Sequence, residues 1–385
     1  MRKIQMVDLK GQYAKIKDEV DTSVLEVLES TAFINGPKVH QFQENLETYL
    51  GVKHVIPCAN GTDALQIAMM GLGLKPGDEV ITADFTFAAT VEVIALLQLT
   101  PILVDVDQTT FNIDISAIKK AITPKTKAIV PVHLFGMCAN MEAILEIAQE
   151  HNLFVIEDNA QGIGANYTYH DGKKQKSGTI GHVGSTSFFP SKNLGCYGDG
   201  GAIFTNDDNL AHTIRGIVNH GMYERYHHDV VGVNSRLDSV QAAVLDIKLR
   251  HLDQYNNRRR NAARAYNRAF ENEEHIVIPS GRDVCSGICD TCDCHVFHQY
   301  TLRILNGKRD GLVQHLNENG IACGVYYPIP LHLQKAYADE KYNEVDFEVT
   351  NQLAKEVISL PMHTELDEEQ IEFITTTVKN FVNGS

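Results

Sequence analysis

The chain has 385 residues, which is longer than a typical single domain, so one large domain or two associated domains are expected. Its hydrophobic fraction of 43% and charged fraction of 22% exclude a disordered protein and are typical of a globular enzyme. The formal net charge of −15 argues against nucleic-acid binding as the main role, because no excess of Lys and Arg is available to neutralise phosphates.

The sequence indicates neither a targeting signal nor a membrane span. The first 30 residues lack an apolar core of signal-peptide length, and the longest apolar stretch elsewhere, around residues 88–99, is interrupted by Glu92 and Gln98. We therefore expect a cytoplasmic protein whose eight cysteines are thiols rather than parts of a disulfide framework.

Short apolar runs alternate with helical patterns through the first half of the chain. The predicted strands are residues 54–58, 79–82, 101–106, 127–132 and 153–156. Between them lie stretches such as residues 141–150, whose apolar side chains recur at the spacing of one helical face. Strands that alternate with helices predict right-handed crossovers and a mainly parallel sheet with helices on both faces.

The pattern changes after residue 206. The predicted elements of this half are helices at 210–218, 237–270, 310–319 and 367–382, and strands at 295–305 and 321–327. We predict a large α/β domain of residues 1–250 and a smaller α+β domain of residues 251–385, with the boundary inside the long helix.

A turn with the sequence NGTD, residues 60–63, joins a predicted strand to a predicted helix. Gly61 lets the backbone approach a ligand closely, and Thr62 supplies a hydroxyl beside free N–H groups of the helix. Such a turn can hold a phosphate, although an ordinary helix N-cap explains it equally simply.

A carboxylate and a lysine follow two further predicted strands. Asp158 belongs to the EDNAQ motif at 157–161, which comes directly after residues 153–156, and Lys192 ends the run at 185–192, before the glycine-rich residues 194–201. Its aromatic and glycine neighbours indicate a tight, partly buried turn, in which burial would lower the pKa of the Lys192 amine and make it a usable nucleophile.

These motifs are the parts of a pyridoxal-phosphate site. The cofactor needs a lysine for a Schiff base, a carboxylate that keeps its pyridine nitrogen protonated, a phosphate cup and an aromatic face. Phe87, in the DFTF sequence at 84–87, offers that face, although a phenylalanine there is more often part of the core.

The sequence resembles the DegT–StrS family of nucleotide-sugar aminotransferases, and the resemblance covers nearly the whole chain. The matching motifs are residues 33–37 (FINGP), 60–65 (NGTDAL), 86–90 (TFAAT), 157–161 (EDNAQ), 187–195 (SFFPSKNLG) and 232–238 (GVNSRLD). Their order and spacing are more specific than any one of them. The resemblance implies the aspartate-aminotransferase fold, which is fold type I of the pyridoxal-phosphate enzymes, with a seven-stranded sheet.

The resemblance also implies roles for the matching residues. Lys192 would bind the cofactor covalently and act as the base, Asp158 would pair with the pyridine nitrogen, and Gln161 would contact the phenolic oxygen. The remaining cofactor contacts would be Gly61, Thr62 and Ser187 at the phosphate, Phe87 stacked on the ring, and Asn234 at the phosphate of a neighbouring subunit. That last contact implies a homodimer with shared sites.

The implied reaction moves an amino group, with glutamate as the usual donor, onto a ketone of a nucleotide-linked sugar for surface polysaccharide or glycan precursor synthesis. One branch of the family carries histidine in place of the lysine and catalyses dehydration, so Lys192 favours transamination. The sequence is most similar to enzymes that aminate position 3 of a UDP-linked 2-acetamido-3-oxo-glucuronate. A dTDP- or other 3- or 4-keto sugar, and a non-catalytic regulatory or binding protein that retains the fold, are the alternatives.

Three residues are predicted to contact the substrate. Arg236 would bind the ring carboxylate of a uronate in a bidentate fork, entering from the partner subunit, or else it would stabilise the interface or the start of the long helix. Tyr326 and Tyr327, at the end of the strand predicted at 321–327, would line the sugar pocket.

A cysteine-rich loop departs from the family pattern. The four thiols of Cys285, Cys289, Cys292 and Cys294, followed by His295, could bind Zn²⁺. A loop of reduced thiols is the simpler alternative, because the usual second cysteine pair a dozen or more residues away is missing.

Overall fold

The computed structural model describes residues 3–281 and 292–384. Its helices are α1 (Leu9–Ser30), α2 (Pro37–Leu50), α3 (Gly61–Gly71), α4 (Ala89–Leu96), α5 (Ile115–Ala121), α6 (Met141–His151), α7 (Asp208–Ile217), α8 (Ser239–Phe270), α9 (Arg309–Glu318), α10 (Glu348–Glu356) and α11 (Glu368–Asn383). Its strands are β1 (His54–Cys58), β2 (Glu79–Ala83), β3 (Thr100–Val104), β4 (Thr126–Val130), β5 (Phe154–Asp158), β6 (Asn166–Thr168), β7 (Lys174–Lys176), β8 (Val183–Ser187), β9 (Gly201–Thr205), β10 (Met222–Glu224), β11 (His227–His228), β12 (Ile276–Val277), β13 (Tyr300–Ile304) and β14 (Val357–Leu360). None of the helices in these two ranges is both long and apolar enough to cross a bilayer.

A seven-stranded sheet forms the centre of the fold, with the strand order β1-β9-β8-β5-β4-β2-β3. The pairs β2–β3, β2–β4, β4–β5 and β5–β8 are parallel, whereas β9 runs antiparallel to both β8 and β1. The predicted α/β architecture with a mainly parallel sheet is therefore confirmed.

Both faces of this sheet are covered, which explains the continuous apolar runs in its strands. Alternate residues of β2 point to opposite sides: Ile81 packs in a cluster with residues of α5 and α6, and Val80 packs in another with residues of α3, α4 and α7. The sheet is thus held between two helical layers, and its strand ends remain available for a site.

A second, three-stranded antiparallel sheet has the order β12-β13-β14. The 32-residue helix α8 contacts both parts of the chain. Leu245 and Leu249 pack beside β1 and β9, whereas Tyr266 and Phe270 pack beside β13 and β14. The division into residues 1–250 and 251–385, inside this helix, stays a proposal.

The strand predicted at residues 321–327 is wrong. The segment makes only isolated bridges, from Ile321 to Ile4 and from Gly324 to Ser359. Because these two bridges join the segment to different neighbours, the backbone turns between them and does not run along one partner strand.

The expectation of thiols throughout is also corrected. Cys292 and Cys294 are each part of a disulfide bond. Disulfide-bonded sulfurs are not thiolate ligands, so two of the four residues proposed for Zn²⁺ are not available to it in this structure. Cys285 and Cys289 lie outside the described residues.

Candidate active site

A cavity of about 840 Å³ lies at the carboxyl ends of the parallel strands. It brings together nine of the residues singled out in the sequence, namely Gly61, Thr62, Phe87, Asp158, Gln161, Ser187, Lys192, Tyr326 and Tyr327. Asp158 ends β5, and the neighbouring parallel strand β8 leads into the Lys192 turn, so the two residues follow adjacent strands of the sheet.

The Lys192 amine has a lowered pKa. The lysine sits in a tight turn closed by a hydrogen bond from its N–H to the Phe189 carbonyl, 2.8 Å away. Burial lowers the pKa of Lys192 to about 8, while the Asp158 carboxylate acts in the opposite direction. At pH 7 about one tenth of the amine is therefore unprotonated, far more than for an ordinary lysine, which makes it a more available nucleophile or base.

The Asp158 carboxylate is held in one orientation by two donors. The Thr90 hydroxyl donates to Oδ2 over 2.8 Å, and the Ala160 N–H donates to Oδ1 over 3.2 Å. The Asp158 backbone is fixed as well, since its N–H donates to the Pro131 carbonyl at 2.9 Å and its carbonyl accepts from His133 N–H at 3.0 Å. Thr90 was not among the predicted site residues, although it belongs to the TFAAT motif.

The turn before α3 forms a cradle for an anion. Asn60 caps the helix by accepting a hydrogen bond from the Asp63 N–H at 2.8 Å, and α3 begins at Gly61. A Cβ on Gly61 would lie 2.6 Å from Cβ of Ser187, so only glycine lets the helix start this close to the end of β8. The N–H groups of Gly61 and Thr62 have no intrahelical acceptor and suit a phosphate.

Gln161 makes hydrogen bonds to two separate parts of the chain, at Phe135 and at Tyr327. Its Oε1 accepts a hydrogen bond from the Phe135 N–H at 2.7 Å, and its Nε2 donates to the Tyr327 hydroxyl at 3.2 Å. Burial raises the pKa of the Tyr327 phenol, so this hydroxyl stays protonated. The Phe87 ring lies 6.4 Å from the Tyr327 ring and is 58% exposed, which leaves one face open to the cavity.

Asn234 and Arg236 do not reach this cavity from their own chain. They line a second cavity of about 520 Å³ beside it, and Asp199 lines both. Within the chain, Arg236 Nη1 donates to Oδ1 of Asn219 over 3.2 Å. The roles expected for Asn234 and Arg236 at the cofactor and the substrate therefore depend on a second subunit and stay predictions.

Two buried acid–histidine pairs support the site and were not foreseen. His332 donates its backbone N–H to Oδ1 of Asp84 at 2.7 Å, and its Nδ1 lies 2.6 Å from Oδ2. Burial raises the pKa of Asp84 despite this contact. The pair attaches the segment that follows Tyr326 and Tyr327 to the end of β2. Asp84 was visible in the DFTF sequence, but nothing in the sequence pointed to His332.

The second pair anchors the end of β5. His133 accepts the Ala139 N–H at Nδ1 (3.1 Å), so its Nε2 carries the proton and donates to Oε2 of Glu157 over 2.8 Å. The Glu157 carboxylate also accepts from the N–H groups of Gly178 (2.8 Å) and Gly181 (2.6 Å). These bonds hold the residue that precedes Asp158, and so help to fix the position of Asp158 itself.

The described residues of the cavity fit pyridoxal phosphate. The Gly61 cradle suits its phosphate, the fixed Asp158 carboxylate suits a protonated ring nitrogen, and the Lys192 amine suits its aldehyde. The individual contacts remain predictions.

A model of the DegT/DnrJ/EryC1/StrS aminotransferase family matches residues 14–379. The chain belongs to this family. It is a nucleotide-sugar aminotransferase and depends on pyridoxal phosphate, as sequence reasoning expected.

Several curated relatives match over nearly their full length. A protein of Geobacillus stearothermophilus named pleiotropic regulatory protein is 46% identical, with 98% of each chain covered. The UDP-2-acetamido-2-deoxy-3-oxo-D-glucuronate aminotransferase of Pseudomonas aeruginosa is 45% identical, covering 98% of this chain and 100% of the relative. A UDP-N-acetyl-3-dehydro-alpha-D-glucosamine 3-aminotransferase of Acidithiobacillus ferrooxidans is 43% identical, covering 99% and 98%.

The fold agrees with a solved structure of the same family. The crystal structure of S. venezuelae DesV in complex with a ketimine intermediate superposes with a TM-score of 0.92, at 37% identity and with 99% of each chain covered. The seven-stranded, fold type I architecture expected from the resemblance is thereby confirmed.

Proposed function

We propose that this aminotransferase moves an amino group, with glutamate as donor, onto the C3 ketone of a UDP-linked 2-acetamido-3-oxo sugar. The observation that carries the chemistry is the Lys192 amine, with a pKa of about 8, in one cavity with a fixed Asp158 carboxylate. The substrate class is supported by the names of the relatives from Pseudomonas aeruginosa and Acidithiobacillus ferrooxidans. A place in surface polysaccharide or glycan precursor synthesis and a cytoplasmic location belong to the same proposal.

Asp158 and Lys192 would have different roles in proton transfer. When bound, pyridoxal phosphate supplies an electron-accepting ring that stabilises negative charge on a substrate carbon. Asp158 would hold a proton at the ring nitrogen, which keeps that capacity high, and its orientation is set in advance by Thr90. Lys192 Nζ would take the proton from one carbon and return it to another, which its lowered pKa permits near neutral pH.

A homodimer with shared sites is the proposed working form. Exposed apolar side chains at Leu25, Leu28, Phe33 and Ile34 lie on or just after α1, and surface clusters of this kind are typical of protein interfaces. Ile34 also lines the cavity of Arg236, so this apolar cluster and Arg236 lie on one side of the chain. A partner subunit packed against that side would receive Arg236 in its own site. The carboxylate role of Arg236 is part of this proposal.

The two relatives that support the proposal are named for different sugars. A glucuronate carries a ring carboxylate and a glucosamine does not, and the identities of 45% and 43% favour neither. The uronate is proposed because Arg236 offers a planar guanidinium that can bind a carboxylate through two parallel hydrogen bonds. Without that role, the neutral sugar is the better substrate.

The experiment offers the purified enzyme three ketones with glutamate: the UDP-2-acetamido-3-oxo-glucuronate, its neutral glucose counterpart and a dTDP-linked 3-keto sugar. Mass spectrometry detects the amino sugar, and NMR assigns the aminated carbon. The proposal expects a C3 amine from a UDP sugar, a visible absorption band that shifts with glutamate, and loss of both in Lys192→Ala. Product from the dTDP sugar alone would contradict it.

A regulatory role in addition to transamination is the second candidate, because one relative at 46% identity is named as a regulatory protein. A regulatory role that is independent of the chemistry has no need of the lowered pKa of Lys192. It would therefore survive in the Lys192→Ala variant, whereas a regulatory effect that depends on the amino-sugar product would be lost with the activity.

A further inference from the structure

His298 lines the cavity of Lys192 and has no assigned task. The residue lies in the segment before β13 and is only 9% exposed. Its backbone is fixed by the buried Arg259, whose Nη1 donates to the carbonyls of His298, Phe297 and Met362 at 3.0–3.3 Å. The ring of His298 is therefore presented to the cavity from a rigid support.

The hydrogen bonds around Asn193 determine which nitrogen of His298 carries the proton. Asn193 Nδ2 donates to Oδ1 of Asn256 at 2.7 Å and to the Val296 carbonyl at 3.0 Å, which uses both of its protons. Its Oδ1 is consequently an acceptor, and it lies 3.4 Å from Nδ1 of His298. Nδ1 must donate in this contact, so Nε2 is the unprotonated nitrogen and can only accept a hydrogen bond.

This acceptor is not satisfied by the protein. Within residues 3–281 and 292–384, Nε2 of His298 has no hydrogen-bond partner, and it is not among the polar atoms sealed from solvent. The charged groups that act on the ring are Lys192 and Arg259, and they add to burial in holding the pKa of His298 well below its usual value. The ring is thus a neutral acceptor near the reactive amine.

We propose that His298 is a positioning residue for Lys192: the two side chains line the same cavity, and Nε2 accepts a hydrogen bond from the Lys192 ammonium when that flexible side chain turns toward it, a bond that the structure itself does not contain. A neutral acceptor stabilises the ammonium form and directs the amine, yet it does not compete for the proton that Lys192 transfers. The inference rests on the role proposed above for Lys192, and it adds a specific partner on the side of the cavity formed by the segment before β13.

Two variants of similar size separate this role from a structural one. His298→Asn places its amide near the position of Nδ1, so it keeps the contact with Asn193 and removes the cavity acceptor. His298→Gln places its amide near the position of Nε2, so it keeps an acceptor in the cavity and loses the contact with Asn193. A positioning role predicts that the asparagine variant is the impaired one, whereas a structural role predicts the reverse.

The first measurement uses cofactor-free protein and needs no activity. The labelling rate of Lys192 by an amine reagent at pH 7 is followed by peptide mass spectrometry, with the exposed Lys127 as internal reference. Loss of an acceptor for the ammonium lowers the pKa of Lys192, so His298→Asn should label roughly three- to tenfold faster, and His298→Gln close to the wild-type rate. Equal rates in all three proteins, or the larger change in His298→Gln, would overturn the inference.

The second measurement does not depend on enzymatic activity. Histidine labelled with ¹⁵N in the wild-type protein gives a ring signal that is assigned to His298 by its loss in either variant. That signal should report the Nδ1–H tautomer and should shift in Lys192→Ala; an Nε2–H tautomer would overturn the proposal. If the tautomer and labelling results hold but no nucleotide sugar is aminated, the proposed substrate fails and the His298 assignment stands.

Discussion

The Thr90 hydroxyl donates a hydrogen bond to Oδ2 of Asp158 over 2.8 Å, and both side chains are buried. Thr90 lies in the first turn of α4, whereas Asp158 ends β5, so the bond links two elements that meet only in the folded chain. It gives the carboxylate one orientation before any cofactor arrives, and an acceptor fixed in advance costs no reorganisation when the charged ring nitrogen binds.

Thr90→Val should weaken cofactor binding, because valine keeps the shape of threonine and removes the donor to a buried carboxylate. A hydrogen bond to a charged group contributes about 1.5–3 kcal/mol, so we expect a dissociation constant for pyridoxal phosphate that is roughly tenfold higher or more. Titration of cofactor-free protein by absorbance measures it. Thr90→Ser keeps the hydroxyl and is the control; equal losses in both variants would show that the hydroxyl does not matter.

Gly61→Ala should disrupt the phosphate cradle, since its Cβ would lie 2.6 Å from that of Ser187 and the start of α3 would have to move away from β8. We expect a lower melting temperature and a lower cofactor affinity. In a Ser187→Gly background the opposing Cβ is gone, so adding Gly61→Ala there should cost less than it does in the wild type. An equal cost in both backgrounds would refute the steric explanation.

The lowered pKa of Lys192 should appear in the pH dependence of stability. The folded value of about 8 lies below the usual 10.5, so between those pH values the unfolded chain binds more protons and the free energy of unfolding rises with pH. Below about pH 8 the folded state carries the whole cost of a buried ammonium.

Lys192→Met removes this ammonium. The cofactor-free variant should be more stable than cofactor-free wild type at pH 7, by roughly 1–3 kcal/mol, and the difference should disappear as the pH rises above 10. Urea unfolding at the two pH values measures the difference. Lys127→Met, at an exposed position of β4, is the control and should show no such convergence. A constant difference for Lys192→Met would contradict the lowered pKa.

Arg236→Lys should distinguish the two UDP sugars. A lysine cannot form the bidentate contact with a carboxylate, so we expect kcat/KM to fall by an amount equivalent to about 2–4 kcal/mol with the glucuronate and to change little with the neutral sugar. Asn219→Ala removes the contact that Arg236 makes within its own chain and serves as control. Equal losses on both sugars would assign Arg236 to the interface instead.

Much of the fold and the site followed from local signals in the sequence. A strand buried on both faces has to be apolar at successive positions, so β1, β2 and β5 were visible as short runs. A chain that alternates strands and helices has few ways to pack, and ligand residues in such a sheet follow the strands directly. Asp158, Lys192 and Gly61 were therefore found from their positions after predicted strands.

Contacts between distant parts of the chain were decided only by the tertiary structure. Thr90 and Asp158 are 68 residues apart, and the pairs of Asp84 with His332 and of Asn193 with His298 span 248 and 105 residues. The conformation of residues 321–327 depends on its two separate neighbours, Ile4 and Ser359. Such contacts leave no periodic pattern in the sequence, because a single polar residue looks alike in the sequence whether its side chain is exposed to solvent or bonded to a buried partner. The sequence by itself thus predicted the residues proposed to carry the chemistry, and only the tertiary structure showed which residues hold them in place.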